Sequence, residues 1–143
     1  MTKQTRHARR QRGFTLIELL VVLAILGLLA AVVGPQVLKY LGSSRTQTTK
    51  VQVQNITASL ELYRLDTGRY PSDADGLNAL IAAPKGMPGW NGPYLRRAEG
   101  LTDPWGRSYL YRNPGQHGEV DVYSLGADGA EGGTGEDQDV GNW

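Results

Sequence analysis

Apolar residues form one nearly continuous block close to the start of the chain. The block covers residues 14–33, 20 positions in all. Only Thr15, Glu18 and Gly27 interrupt it. A helix needs about 20 apolar residues to cross the hydrocarbon core of a bilayer. The pattern therefore predicts a transmembrane helix, which we call the apolar block, followed by chain that projects from the membrane.

Helical periodicity continues beyond the apolar block, with two weak points. Pro35 removes a backbone donor and clashes with the preceding turn, so the first helical segment, residues 14–35, should end in a kink or a melted turn. Residues 42–50 contain no large apolar side chain and many poor helix formers, which predicts a second weak point or a solvated stretch. Residues 36–66 as a whole should continue the helix, because apolar positions recur there at spacings of three and four. Those positions are Val53, Ile56, Leu60 and Tyr63, flanked by Ala58, Leu62 and Leu65.

Residues 67–143 have the turn-rich pattern of a small globular domain. Gly68 is suited to cap the long helix in the left-handed conformation. A short helix is predicted over residues 73–83, which Pro84 would end. The loops that follow are rich in proline and glycine, and Trp90 and Trp105 are predicted to fill the core beneath them.

Two short segments near the C-terminal end predict a β-hairpin. Residues 107–112 and 119–124 are rich in tyrosine and valine, and the second segment alternates apolar with polar positions. Residues 113–118 supply the turn between them. One long helix packed on a small antiparallel sheet gives an α+β fold.

Charge is distributed unevenly along the chain. Residues 1–13 carry five of the 15 basic residues and no acid, so the remainder holds 10 basic and 14 acidic residues and has a net charge of −4. A basic leader before an apolar helix predicts that this end stays in the cytoplasm. Nucleic-acid binding is not expected, because the only dense basic cluster lies in the leader and contains no aromatic residue. The chain has no cysteine, which excludes disulfides and leaves a metal or self-assembly as ways to stabilise a small domain.

The apolar block allows two interpretations as a targeting segment. A secretory signal would need small residues at a cleavage site, for which Ala30 and Ala31 are only a weak match. A retained helix fits the length of the block better. Glu18 is the anomaly inside it, because an ionised carboxylate in hydrocarbon costs several kcal/mol. The side chain either lies at the headgroup level and is solvated, or has a partner and a function.

The string Arg12-Gly13-Phe14-Thr15-Leu16-Ile17-Glu18 resembles the processing signature of type IV prepilins. The resemblance implies that a prepilin peptidase cuts between Gly13 and Phe14 and methylates the Phe14 amine. It also implies that Glu18 neutralises the N-terminal ammonium of a neighbouring subunit, and that Pro35 marks a stretch that melts in the filament. Such a pairing would satisfy two charges that are each costly in hydrocarbon.

Five carboxylates and no basic residue lie in the glycine-rich segment of residues 125–139, which we call the acidic loop. Carboxylates separated by glycines can converge with main-chain carbonyls on a hard cation such as calcium. The spacing is not that of an EF-hand, and the charge would repel phosphate. A solvated loop without a metal is the alternative. His117, alone in the hairpin turn, does not form a site by itself.

The C-terminal half carries a more specific resemblance. It is similar to the major pseudopilins of type II secretion systems in the strings Asp103-Pro-Trp-Gly, Tyr109-x-Tyr111, Pro114-Gly-Gln-His-Gly, Val120-Asp-Val-Tyr-Ser-Leu-Gly-Ala-Asp-Gly and Val140-Gly-Asn-Trp. That family implies a pilin-like fold with a calcium site in the acidic loop. By position, Leu125 would supply a carbonyl ligand and Asp128 a carboxylate. The second carboxylate would come from Asp137 or Asp139.

The resemblance implies a structural subunit and not an enzyme. The subunit would be anchored in the bacterial inner membrane by one helix, with its C-terminal domain in the periplasm. It would assemble with copies of itself and with minor pseudopilins into a pseudopilus that promotes export of folded proteins. The prepilin peptidase, an inner-membrane assembly platform and, before assembly, membrane lipid are the other expected partners.

Three alternatives stay open on the residues alone. A type IV or competence pilin would share the apolar block but would more often carry a C-terminal cysteine pair. A membrane-anchored enzyme would use His117 with Ser124 or Asp121. A monomeric calcium-binding surface module would use the acidic loop without assembling.

Overall fold

The computed structural model describes residues 13–143. The five basic residues of the predicted leader lie in residues 1–12, outside the described residues. The chain divides into two compact units, of which the first ends at Leu38 and the second is Lys39–Trp143. The first helix, α1, covers Leu16–Thr67 and contributes to both units.

Neither predicted interruption breaks α1: the melted turn predicted at Pro35 is wrong, whereas a kink there stays a prediction. Pro35 lies inside the helix, which continues on either side of it. A proline costs a helix about 3 kcal/mol, and α1 continues in spite of this cost. Residues 42–50 are also helical rather than melted or wholly solvated, and Gly42 and Thr49 are buried there. Tertiary packing of this segment outweighs its poor intrinsic propensity.

The helix ends where the sequence predicts. Gly68 adopts a φ of 78°, and its N–H donates to the carbonyl of Arg64 at 2.8 Å, as expected of a left-handed cap. The predicted core positions Val53, Ile56, Leu60 and Tyr63 are all buried. The flanking positions Ala58, Leu62 and Leu65 are exposed, so the buried face of α1 is narrower than the sequence suggests.

The predicted helix over residues 73–83 is wrong in type and length. A short 3₁₀ helix covers Gly76–Leu80 instead. Gly76 has a φ of 57°, which breaks the run of right-handed dihedral angles that an α-helix requires. Trp90 packs against the core and donates from its indole N–H to the carbonyl of Ala79 at 2.8 Å.

Trp105, also predicted to fill the core, is only half-buried and lies outside the main hydrophobic cluster. That cluster joins the inner face of α1 to the strands and to the short 3₁₀ helix. Its members are Val53, Ile56, Leu60, Tyr63, Leu77, Ala79, Leu80, Leu101, Tyr109, Val120, Val122 and Val140.

The predicted hairpin is confirmed, with shorter strands. Strand β1 is Leu110–Arg112 and strand β2 is Asp121–Ser124, and they pair antiparallel with Tyr111 opposite Val122. A third strand, β3, covers Val140–Gly141 and pairs antiparallel with β2. Two residues are too few to show an alternating pattern, so β3 could not be predicted. One long helix with a three-stranded sheet in the order β1-β2-β3 confirms the α+β fold.

Candidate functional site

Glu18 has a local partner at the start of α1. Its carboxylate accepts the backbone N–H of Thr15 at 3.2 Å, and the Thr15 hydroxyl accepts the backbone N–H of Glu18 at 3.2 Å. This reciprocal pair is a capping box, in which Thr and Glu three residues apart satisfy two backbone donors. The signature Thr15-x-x-Glu18 is visible in the sequence, but reading Glu18 only as a charge in the apolar block misses it.

The apolar block presents its side chains to the surroundings along its whole length. Phe14 is 84% exposed, and Leu29 near the other end is 54% exposed. Within residues 13–143, α1 is the one helix long and apolar enough to cross a membrane, and its most apolar stretch is not buried in the chain at all. An apolar surface of this extent requires a lipid or protein partner.

The acidic loop connects β2 to β3 and contains a short 3₁₀ helix, Gly135–Asp137. Asp128 is exposed, and its carboxylate accepts the N–H of Ala130 at 3.1 Å. Asp139 is half-buried, and its Oδ2 accepts the N–H of Gly132 at 2.9 Å. Asp137 is exposed and Leu125 is half-buried. The loop is closed internally by a hydrogen bond from the N–H of Ala127 to the carbonyl of Glu136 at 2.8 Å.

One buried carboxylate oxygen of the acidic loop lacks a hydrogen-bond donor, as a ligand of a cation would. The Oδ1 atom of Asp139 is buried and accepts no hydrogen bond, which is costly for a carboxylate oxygen. In the part of the chain that the structure describes, no three Asp, Glu or His side chains converge closely enough to hold a metal ion. A calcium ion here would therefore need main-chain carbonyls beside the carboxylates, which is a donor set that calcium accepts.

The acidic loop also reaches α1 through a residue that the sequence does not single out. Glu136 lies over Gly42, where a Cβ atom would overlap its side chain. Its carboxylate is 3.9 Å from the guanidinium of Arg45. No pattern in the sequence pairs these positions, because they are far apart along the chain. The poor helix former Gly42 in a predicted helix is the only available signal.

The hairpin turn is organised by one buried carboxylate. Asp121 accepts the N–H groups of Gln116 at 2.7 Å, of His117 at 3.2 Å and of Gly118 at 3.2 Å. Burial by itself would raise the pKa of Asp121, but these hydrogen bonds, together with one from the His117 ring, hold the pKa below its ordinary value. The carboxylate therefore stabilises the turn in its charged form.

The residues of the enzyme alternative have structural partners instead. His117 contacts Asp121 at 3.2 Å and stacks on the ring of Trp143 with 3.8 Å between centroids. The Ser124 hydroxyl donates to the buried carboxylate of Asp103 at 2.7 Å. Ser124 is thus tied to Asp103 rather than to His117, and the set has no nucleophile activated by a base.

Two family models match the chain. One is described as type II secretion system (T2SS), protein G, and matches residues 36–143. The other is described as a prokaryotic N-terminal methylation motif and matches residues 8–34. The first match contains the acidic loop and the sheet, and the second contains Gly13, Phe14 and Glu18.

Individual relatives match over nearly the whole chain. A Pseudomonas aeruginosa protein named type II secretion system core protein G is 48% identical over 139 residues, covering 94% of this chain and 96% of the relative. A Vibrio cholerae protein of the same name is 41% identical over 138 residues, covering 94% of this chain and 93% of the relative. The crystal structure of the major pseudopilin from the type 2 secretion system of enterohaemorrhagic Escherichia coli superimposes with a TM-score of 0.58 at 34% identity, covering 70% of this chain and 87% of that one.

Proposed function

This chain belongs to the type II secretion system protein G family and is a structural subunit of the pseudopilus, and from this premise we propose how its helix and its acidic loop work. It is not an enzyme. The protein G match over residues 36–143 disfavours the alternative of a type IV or competence pilin. The proposal rests above all on the exposed apolar block with its single acid, Glu18.

The subunit begins, in this proposal, as a single-pass protein of the bacterial inner membrane. The basic leader stays in the cytoplasm and the C-terminal domain stands in the periplasm, as the charge asymmetry favours. A prepilin peptidase removes the leader between Gly13 and Phe14 and methylates the new amine. An inner-membrane platform then moves the subunit from lipid into a helical filament of copies of itself, in which minor pseudopilins are also present and which promotes export of folded proteins.

Glu18 would exchange partners during this transfer. In the isolated subunit its carboxylate accepts a hydrogen bond from the Thr15 N–H. After cleavage, the ammonium of a neighbour's Phe14 offers a charged partner, and a charge-assisted bond is roughly twice as strong as a neutral one. In the filament the carboxylate and the ammonium would neutralise each other, so that neither charge is left unpaired in an apolar environment. Glu18 thereby sets the register between subunits.

Two substitutions separate the charge of Glu18 from its role as a helix cap. Glu18→Gln removes the charge, whereas Thr15→Ala removes the capping partner and keeps the charge. Because a cap is worth only about 1 kcal/mol and an unpaired charge in hydrocarbon costs several, we expect Glu18→Gln to lower filament assembly and secretion by more than about tenfold. Thr15→Ala should retain most of both. The measurement is cross-linking of assembled subunits and assay of secreted protein in cells with the variant as the sole copy.

Normal assembly of the Glu18→Gln variant would contradict the pairing. Equal losses in the two variants would also count against it, because loss of the cap alone would then be as damaging as loss of the charge. If Glu18→Gln assembled but did not secrete, Glu18 would be needed for a step of secretion other than the pairing of subunits.

We further propose that the acidic loop binds calcium. The carbonyl of Leu125 and the carboxylate of Asp128 would be ligands, and Asp139 is better supported as the second carboxylate than Asp137. The support is the buried Oδ1 of Asp139, which accepts no hydrogen bond, and the exposed position of Asp137. A cation would also relieve repulsion among the five carboxylates of the loop.

Calcium binding predicts a rise in the thermal stability of the C-terminal domain. A ligand present at 100 times its Kd stabilises by about 2.7 kcal/mol, which for a domain of this size raises Tm by about 10 °C or more. The full chain in detergent would be heated with calcium, with magnesium and with chelator, and unfolding followed by near-ultraviolet circular dichroism. Asp139→Asn should abolish the calcium-dependent rise in Tm. Glu131→Gln, an equal loss of charge at an exposed loop position, should retain it.

An unchanged Tm after chelation would refute the calcium site. A rise that survives Asp139→Asn and disappears in Asp137→Asn would keep calcium and transfer the ligand role to Asp137.

A further inference from the structure

The helical segment that the acidic loop contacts is intrinsically weak. Six of the nine residues 42–50 are glycine, serine or threonine, which are weaker helix formers than alanine or leucine. The hydroxyls of Thr46, Thr48 and Thr49 bond back to the carbonyls of Gly42, Ser44 and Arg45, a pattern that slightly destabilises and often bends helices. The helical state of this segment therefore depends on tertiary contacts.

Glu136 supplies such a contact at the first residue of the segment. Gly42 is buried beneath the Glu136 side chain, which occupies the space that a Cβ atom would need. The ion pair from Glu136 to Arg45 is long, at 3.9 Å, and its side chains are 54% and 40% exposed. Exposed pairs of this kind contribute little. The close fit on Gly42 is thus the main element of the contact.

The backbone of Glu136 is held beside the residues that would bind the cation. Its carbonyl accepts the N–H of Ala127, which directly precedes Asp128. Glu136 itself directly precedes Asp137 and lies in the 3₁₀ helix Gly135–Asp137. Ordering of the loop around a cation would therefore fix the position from which Glu136 reaches Gly42.

We infer that Glu136 is a latch through which cation occupancy of the acidic loop controls the helical order of residues 42–50. The inference rests on the calcium site proposed above. With the loop ordered, the latch holds the segment helical; with the loop loose, Glu136 leaves Gly42 and the segment frays. A subunit whose domain lies in a calcium-containing compartment would thereby have a stiffer helix than the same subunit without the ion.

Hydrogen exchange of the full chain in detergent, read by mass spectrometry, tests the latch. In the unsubstituted chain, calcium should slow exchange about tenfold both in peptides from residues 125–139 and in peptides from residues 42–50. Gly42→Ala should keep the effect of calcium in the loop peptides and lose it in the helix peptides. Exchange in these peptides should then be as fast as in the unsubstituted chain without calcium. Helix propensity alone predicts slower exchange there with or without calcium, because alanine favours a helix over glycine by about 1 kcal/mol.

Matched variants keep the test interpretable if Gly42→Ala disturbs the fold. Glu136→Ala removes the latch and leaves Gly42 intact, so it should give the same uncoupled pattern. Glu131→Ala makes the same change at an exposed position of the loop and should remain coupled. Gly34→Ala, at a helical glycine where an added Cβ atom would meet no atom within 4 Å beyond the nearby helix backbone, should leave the response of residues 42–50 to calcium unchanged.

The possible failures of the latch and of the calcium site can be told apart. Calcium protection of the helix peptides that survives in both Gly42→Ala and Glu136→Ala would overturn the latch and leave the calcium site standing. An absence of calcium protection in the loop peptides of the unsubstituted chain would overturn both. A variant could also secrete less while calcium still slows exchange in both its loop peptides and its helix peptides. Loss of the latch would then not be the cause of the reduced secretion.

Discussion

Asp121 shows how a single buried carboxylate can organise a turn. It is 1% exposed and accepts three backbone N–H groups from the connection between β1 and β2, residues 113–120. These hydrogen bonds lower its pKa despite burial. An acid with a lowered pKa in the folded state stabilises the fold above its unfolded pKa, about 3.9, and this contribution is lost as pH falls through the folded pKa.

Substitution of Asp121 should make the fold weaker at neutral pH and less sensitive to acid. Hydrogen bonds to a charged group are worth about 1.5–3 kcal/mol, so Asp121→Asn should lower the free energy of unfolding by on the order of 2 kcal/mol at pH 7. The deficit should shrink as pH falls below about 3.9, because the unfolded chain then binds a proton that the folded chain, with its lowered pKa, binds only at lower pH. Urea unfolding of the full chain in detergent, followed by tryptophan fluorescence at several pH values, measures both effects. Glu99→Gln, at an exposed acid, is the control.

A deficit that stays constant between pH 7 and pH 3 would contradict this account of Asp121. It would mean that the shape of the side chain, and not its charge, stabilises the turn.

The roles of some residues can be predicted from the sequence, and those of others cannot. Glu18 stands out because a charge in an apolar block is rare, and Asp128 because acids between glycines suggest a cation site. The capping role of Thr15 is equally local but is easily missed beside the charge. Glu136 is different in kind: its partner Gly42 lies 94 positions earlier in the sequence, and only folding brings them together.

At the scale of elements, local patterns predict long elements better than short ones. The buried face of α1 and its glycine cap follow from periodicity and from the conformational freedom of Gly68. The weak segment at residues 42–50 and the turn at Gly76 do not, because tertiary packing decides the first and a positive φ decides the second. The two-residue strand β3 has no local signal and depends on its pairing with β2.

Short elements at the C-terminal end are held by side chains as well as by strand pairing. The side chain of Asn142 accepts the N–H of Val122 at 3.0 Å and donates to the carbonyl of Val120 at 3.1 Å. Trp143 then stacks on His117 in the hairpin turn. These contacts explain why a strand as short as β3 is ordered directly after the glycine-rich acidic loop.

At the scale of the whole molecule, the proposed processing would change the charge of the chain. The full sequence has a net charge of +1, and residues 14–143, without the five basic residues of the leader, have a net charge of −4. The leader holds no acid, so its loss removes positive charge alone. A net negative charge favours solubility of the projecting domain and disfavours its attraction to anionic lipid. Removal of the leader thus suits a subunit that has to leave the membrane surface.

The processed chain should begin at a methylated Phe14, which intact-mass spectrometry of the protein recovered from membranes can determine. We expect a mass that corresponds to residues 14–143 plus one methyl group, and an acidic shift in denaturing isoelectric focusing.

Gly13→Val should block cleavage, because a β-branched side chain replaces the glycine at the proposed cut site. The fold should not change, since a Cβ atom at Gly13 would meet no atom within 4 Å beyond the adjacent residues. Gly27→Ala, at a second glycine where a Cβ atom would meet no atom within 4 Å beyond the nearby helix backbone, should be processed normally, and a chain that keeps Met1 in the assembled fraction would refute processing at Gly13.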